Sequence, residues 1–298
     1  MALDIYQHVT DVVIRQIEKG FEGEAFKPLW HRSGSGMPKN AINQKAYRGI
    51  NVVLLWIASV EAGCSSARWA TYRAWSAAGR QVRKGERSTI VVFWKKLEGR
   101  AADDADAQAD EDDGTNRPRM VAKAYRVFAE EQLEGYEPPP PPVPLPEDER
   151  IQAAELFFNN VPADVTHGGS QAFFVPSVDR IQMPPFEVFR DALAYYSVRG
   201  HETVHWTGHQ ARLNRDFSGR FKSQSYAFEE LVAELGATML SASLGLEMEP
   251  RPDHAKYISS WLEVLKGDKR AIMTAASQAQ KAVDLLWSFQ PEAAAETE

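Results

Sequence analysis

A single cysteine in 298 residues, Cys64, excludes an internal disulfide framework and any metal site built from several thiolates. In its Gly63-Cys64-Ser65 setting it reads as a small buried residue, with no base nearby in sequence to activate it. Long apolar runs are missing too. The longest, Val52 to Ala58, falls far short of the ~20 residues a membrane helix needs. The opening Met1-Ala2-Leu3-Asp4 lacks a charged segment followed by an apolar core, so no secretory leader is expected. The expectation is a soluble, cytoplasmic chain with no membrane partner. Its 44% apolar content is enough for two ordinary domains with real cores.

An excess of positive charge is absent overall, since the net is −7, but that figure conceals an uneven distribution. Residues 1–100 hold 16 Lys or Arg against 8 Asp or Glu, a net of +8; residues 101–150 net −9 and the remainder −6. A polyanion partner is therefore expected for the first part alone. That part also carries Trp30, Tyr47, Trp56, Trp69, Tyr72, Trp75 and Trp94, interleaved with cations such as Arg48, Arg68, Arg73, Arg83, Lys84 and Lys95. Single-stranded nucleic acid is held by such a combination: cations follow the phosphates, and each base stacked on a ring contributes about 1–3 kcal/mol. Most of these rings belong to a core. Trp56, within Asn51 to Ile57, reads as buried; Tyr47, Arg48, Trp69 and Tyr72 lie among Gly, Asn, Ser and Thr and are better placed to meet a strand.

The most specific motif is His201-Glu202-Thr203-Val204-His205. On a helix the two histidines differ by roughly 40° and face one side. Together they can hold one Zn²⁺, leaving Glu202 to act as a general base on water. Apolar positions before the motif predict a helix over 186–207, ended by Gly208 in a left-handed cap. Zinc then needs a third protein ligand. In the spacing H-E-x-x-H-x-x-G-x-x-H the third ligand would fall on Ala211, which cannot bind metal. A later helix, Phe228 to Ala237, offers Glu230 and Glu234 one turn apart on a shared face. In the gluzincin layout the first is the ligand and the second holds a ligating histidine. Glu230 is accordingly assigned to the metal and Glu234 to its support, with Glu229 as the alternative ligand. His209, Tyr226 and His254 are unranked candidates for steadying an oxyanion, and His209 doubles as a helix-end residue. His8, His31 and His167 are isolated in sequence and read as ordinary surface or loop residues.

Periodicity fixes a coarse outline. Ile5 to Lys19 reads as an amphipathic helix ended by Gly20, Phe21 to Gln44 as loop, and Asn51 to Ala62 and Thr71 to Ala78 as helices. Thr89 to Trp94 and Met120 to Phe128 read as strands joined by an acidic insert, 101–118, too polar to order itself. The proline run within 137–147 marks a stiff linker. Beyond it, Glu147 to Asn159 reads as a helix, Val165 to His167 and Ala172 to Val175 as strands joined at Gly168-Gly169, and Ile181 to Met183 as a third strand. Tyr257 to Leu265 and Ala271 to Trp287 read as helices. The fold class is α+β in two domains, 1–136 and 148–290.

Several of these stretches together resemble a known family. Asp179 to Pro184, Ala194-Tyr195-Tyr196, His201 to His209 and Glu229 to Ala237 resemble the zincin-like domain of ArdC-type antirestriction proteins. Pro38-Lys39-Asn40, Tyr47 to Asn51, Trp69 to Tyr72 and Val82 to Glu86 fall in the order of that family's single-stranded-DNA-binding domain. The resemblance implies an N-terminal α+β domain that binds single-stranded DNA and a C-terminal gluzincin-like metallopeptidase domain. It further implies a product of a mobile element, plasmid-borne, that protects incoming DNA from host restriction. The candidate DNA contacts become Asn40, Tyr47, Arg48, Asn51, Trp69, Tyr72, Arg83 and Lys84. The cofactor is expected to be Zn²⁺, with Mn²⁺ or another divalent ion as the alternative. The expected partners are single-stranded DNA and a protein substrate such as a restriction component. Two other readings stay open: a strand-coating protein whose metal site is structural, and a hydrolase acting on something other than a peptide.

Overall fold

The computed structural model describes residues 3–19, 36–64, 66–96, 108–109, 120–138, 147–219, 223–246 and 254–291. Gly20, Trp30, His31, most of the acidic insert and the proline run at 139–146 lie outside the described residues. Within the insert, Gln108–Ala109 forms a short strand, which departs from the expectation of a wholly unstructured segment.

The first part of the chain is a sheet with helices against it. Helix α1 (Ile5–Lys19) buries Ile5, Val9, Val13 and Ile17, the stripe its sequence period predicts. Helix α2 (Ile50–Ala62) is buried along most of its length and ends at Gly63, whose φ of 66° suits glycine alone at no steric cost. Thr71 caps the short α3 (Tyr72–Ala77) by accepting from Ala74 N–H. Five strands follow one another as β1 (Lys39–Asn40), β2 (Arg68–Thr71), β3 (Thr89–Lys96), β4 (Gln108–Ala109) and β5 (Met120–Ala129). Their order is β1-β2-β5-β3, with β4 also on β5. The two-residue β1 and four-residue β2 are too short to show a period, and sequence reading missed both.

In this order β3 is an edge strand, and α2 closes its open side. The Asn51 side-chain amide donates to Val92 O at 2.7 Å and accepts from Val92 N–H at 2.6 Å. It thereby satisfies the main-chain groups that an edge leaves unpaired.

In the second part, α4 (Glu147–Asn160) leads to a three-stranded sheet of β6 (Asp164–His167), β7 (Phe173–Val175) and β8 (Arg180–Met183). The strands β6 and β7, joined through Gly168-Gly169, do not pair with each other. Strand β8 lies between them, parallel to β6 and antiparallel to β7. Gly168 N–H bonds instead to Met183 O, and Gln182 donates to Gly168 O, so the glycine turn is tied to β8.

Helix α5 is Ala192–Thr207, six residues shorter at its start than the helix expected from Phe186. Pro184-Pro185 sets extended backbone before it, Phe186–Val188 makes only a 3-10 turn, and Asp191 caps the helix by accepting from Ala194 N–H. Helices α6 (Gln224–Leu244), α7 (His254–Gly267) and α8 (Ala271–Ser288) complete the chain.

The two parts share one buried apolar cluster. It runs from Ile5, Val9 and Val13 of α1 through Val52 and Leu55 of α2 to Ile272, Ala276 and Leu286 of α8. Thr10 of α1 also donates to Lys269 O, between α7 and α8, at 2.8 Å.

Candidate metal centre

Helices α5 and α6 meet where Gly236 faces Val204. A Cβ on Gly236 would stand 2.8 Å from a Val204 methyl, so the glycine sets how closely the helices approach. That approach brings the carboxylates of α6 onto the imidazoles of α5. His201, Glu202 and His205 on α5, and Glu229, Glu230 and Glu234 on α6, are all buried. Six buried titratable side chains at one helix crossing need compensation that an apolar core cannot give.

The distances show what sort of compensation fits. His201 Nε2 and His205 Nε2 are 3.1 Å apart. Glu230 Oε2 is 3.6 Å from the first and Glu230 Oε1 3.4 Å from the second. A tetrahedral ion with bonds of 2.0–2.1 Å has ligand atoms about 3.3 Å apart, so the two imidazole nitrogens, with one Glu230 oxygen beside each, lie at separations that suit neighbouring ligands of such a shell. His201, His205 and Glu230 are the one such grouping among the described residues, with ligand atoms all within 4.8 Å of one another. Two imidazole lone pairs facing each other at 3.1 Å would repel unless a proton or a cation lay between them.

The remaining carboxylates address the other ring nitrogens. His205 Nδ1 lies 3.0 Å from Glu229 Oε1. A carboxylate can only accept, so Nδ1 carries the hydrogen and Nε2 is left to bind a metal. Glu229, the alternative ligand at the level of sequence, thus sits beside His205 on the far side of the ring. Glu234 Oε2 is 3.7 Å from His201 Nδ1, too far for a hydrogen bond, and that buried nitrogen has no partner within reach. Burial works against charge on His205, but the carboxylates of Glu229 and Glu230 outweigh it and push its pKa up to about 10. Burial also works to raise Glu230, yet His201 and His205 hold it below the ordinary carboxylate value. The cage attracts positive charge, whether as a proton or as a metal.

Arg215 is a residue the sequence reading missed. Its guanidinium donates to both oxygens of Glu229, at 2.9 and 2.8 Å, and to Val204 O and Thr207 Oγ1 at the end of α5. It therefore clamps Glu229, which in turn holds His205. Gly208 makes room for it: a Cβ there would come within 2.8 Å of Arg215 and 2.6 Å of Phe217. The expected left-handed cap is not the reason for this glycine, because its φ is −78°. No short-range pattern marks Arg215, which lies on a loop ten residues beyond His205. Arg212 fixes the same loop, stacking 3.7 Å above Trp206 and bonding Asp179.

The candidates for oxyanion support separate. Tyr226 lies close to Glu230, and its hydroxyl is 3.3 Å from that of Tyr257; burial is the main cause that keeps it protonated well above the ordinary phenol value. His209 lines a neighbouring cavity of about 540 Å³ with Asn214, Arg215 and Phe217. The His254 side chain lies outside the described residues. His167 is not isolated, since its Nε2 is 2.9 Å from the Tyr195 hydroxyl.

The candidate DNA contacts are scattered by the fold. Trp69 and Tyr47 are core residues, 1% and 6% exposed, because β2 runs inside the sheet and Tyr47 tucks beneath Phe93. Asn51 is buried and spent on the β3 edge. These three are corrected from surface contacts to structural residues. Asn40 organises a turn by accepting from Ile42 and Asn43 N–H. Arg83 bonds Glu86 and Leu133 O. Arg48 is exposed but paired with Asp284 of α8. Tyr72 and Lys84 stay at the surface. The exposed rings that β3 and β5 present, Phe93, Trp94 and Tyr125, were not among the chosen contacts.

Comparison with known proteins agrees with both halves of this picture. Residues 3–128 match the family model of the N-terminal domain of anti-restriction factor ArdC, and residues 152–278 that of a zincin-like metallopeptidase. The uncharacterised protein y4eC of Sinorhizobium fredii is 49% identical over 293 residues, covering 97% of this chain and 94% of that one. The DNA primase TraC of Escherichia coli is 34% identical over 298 residues, covering 96% of this chain, which spans about a quarter of the primase (27%). Among solved structures, antirestriction ArdC of plasmid R388 matches in its metal-free form with a TM-score of 0.77 and 40% identity, over 96% of this chain and 98% of that one. Its Mn(II)-bound form matches with a TM-score of 0.76 and 39% identity.

Proposed function

The chain belongs to the ArdC antirestriction family, and on that premise we propose that it binds single-stranded DNA through its first part and hydrolyses a peptide bond at the α5–α6 site, protecting incoming DNA from restriction. The observation that carries the hydrolytic reading is the spacing of His201, His205 and Glu230 at the corners of a metal shell, with buried Glu202 next to the first ligand. A divalent ion held there, Zn²⁺ or the Mn²⁺ bound by the R388 protein, would polarise a carbonyl and make water more acidic. Glu202 takes the water proton and returns it to the nitrogen of the departing amine. Glu230 and the two histidines would hold the cation, while Glu229 and Glu234 face the rear nitrogens of those histidines. Tyr226, which lies close to Glu230 and stays protonated, is taken as the donor to the developing oxyanion. An extended substrate would lie along β7, an edge strand whose Phe174 packs on His209 and Phe217 at the neighbouring cavity.

The test compares wild type with Glu202→Ala for metal content and for protection of DNA from a restriction endonuclease. General-base catalysis is worth about 10²–10⁴-fold, so protection should collapse while metal content is retained. Equal protection by both proteins would remove hydrolysis from the antirestriction function and leave strand binding as its working part.

A further inference from the structure

We propose that Phe93 and Tyr125, with Lys95 and Lys123 beside them, form the surface on which single-stranded DNA stacks its bases. The assignment rests on the strand-binding reading given above. The β3–β5 register sets Phe93 opposite Lys123, Val91 opposite Tyr125 and Lys95 opposite Val121. Directly opposed residues share a face of a sheet, so Phe93, Tyr125, Lys95 and Lys123 all emerge on one side.

The two rings meet edge to face, 5.5 Å between centroids, and remain 48% and 40% exposed. Large exposed rings on an ordered sheet are costly to keep in water and call for an occupant. Beneath them buried Tyr47 packs on Phe93 at 6.5 Å, which fixes that ring's position before any ligand arrives. The neighbouring ring Trp94 belongs to the opposite face, where it packs on Tyr6 of α1 at 6.0 Å.

Charge selects the occupant. On the face of Phe93 and Tyr125, β3 and β5 carry Lys95 and Lys123 and no acidic side chain. An aromatic pair between lysines fits a flexible polyanion with flat, unstacked bases. A duplex keeps its bases stacked inside and offers nothing to either ring.

The experiment measures binding of fluorescent oligo-dT to the full chain, for wild type, Phe93→Leu, Tyr125→Ala, Trp94→Leu and the double variant Lys95→Ala/Lys123→Ala. Melting temperatures accompany each. Loss of one stacked base weakens binding about 5- to 150-fold, so Phe93→Leu and Tyr125→Ala should each show at least fivefold weakening with the fold retained. Phe93→Leu keeps an apolar side chain over Tyr47, and Tyr125→Phe should restore affinity, which separates stacking from folding. The lysine pair should lower the slope of log K against log salt by about 1.4, from two phosphate contacts on a single strand. Trp94→Leu should bind as wild type. Wild-type affinity in both ring variants, with oligo-dT still bound by the parent, would overturn this surface and leave strand binding intact. No binding by the parent would overturn both.

Discussion

The α5–α6 cage and the β3–β5 face are opposites. One buries six titratable side chains where a core would ordinarily be apolar; the other exposes aromatic rings where a surface would ordinarily be polar. The first departs from the exclusion of polar groups from a core and the second from the covering of large apolar groups, and such departures carry information because they cost free energy to maintain. In the cage the cost is offset by mutual charge: Arg215 on Glu229, Glu229 on His205, Glu230 between two imidazoles. On the sheet it is limited by rigid support, with Tyr47 beneath Phe93 and the Asn51 amide closing the β3 edge. The cage should respond mainly to pH and charge, the sheet to ring chemistry and salt. Their shared apolar cluster gives both one foundation.

Proton competition is the largest expected effect that separates the two. His205, ordinarily near 6.5, is held at about 10 in the metal-free protein, so a metal must displace its proton. Metal affinity should therefore rise about tenfold per pH unit across that window, while oligo-dT affinity stays nearly flat between pH 7 and 9. The stabilising effect of that proton runs the other way. It is fully present below pH 6.5 and lost as pH rises toward 10, so the metal-free protein should melt lower at pH 9 than at pH 6. Chelator competition and thermal melts at four pH values test both, and an affinity independent of pH would contradict the charged cage.

Arg215→Met or Glu229→Gln comes next. Removing a group that orients a metal-binding histidine typically weakens metal binding 10- to 100-fold, and each variant should do so without changing DNA affinity. Arg215→Lys keeps the charge but not the forked contact to both Glu229 oxygens, and should recover only part of the loss. A metal affinity unchanged in all three would reduce Arg215 to a loop anchor. The smallest effect on either site is expected from Asn51→Ala. Leaving the Val92 main-chain groups unpaired should cost about 1–3 kcal/mol of stability, read by denaturant melts, with metal binding unaffected. If oligo-dT affinity fell much further than stability, Asn51 would have to be restored as a DNA contact.

The cage was largely legible in the sequence because its parts are local. His201 and His205, or Glu230 and Glu234, lie one helical turn apart, and the 3.6-residue period places each pair on one face wherever the helix goes. The ends of α1 and α8 were legible for the same reason, whereas α6 extends beyond Phe228 to Ala237 at both ends. The sheet was not. The two-residue β1, the four-residue β2 and the β6-β8-β7 order carry no local mark, and a strand's face has no meaning until its partner and register are known. Trp69 and Tyr47 were therefore placed with the DNA although they belong to the core, and Phe93 and Tyr125 were passed over.

By itself the sequence determined the helices, the His201-Glu202-His205 motif, the carboxylates of α6 and the separation of charge along the chain. These depend on spacings within a turn or on sums over composition. Only the tertiary structure decided that Glu229 turns to His205 and Arg215 rather than to the metal position, and that Phe93 and Tyr125 stand together. Those choices depend on which way a side chain points after helices or strands distant in sequence have packed. Gly236 against Val204 settles it in one place, and the β3–β5 register in the other.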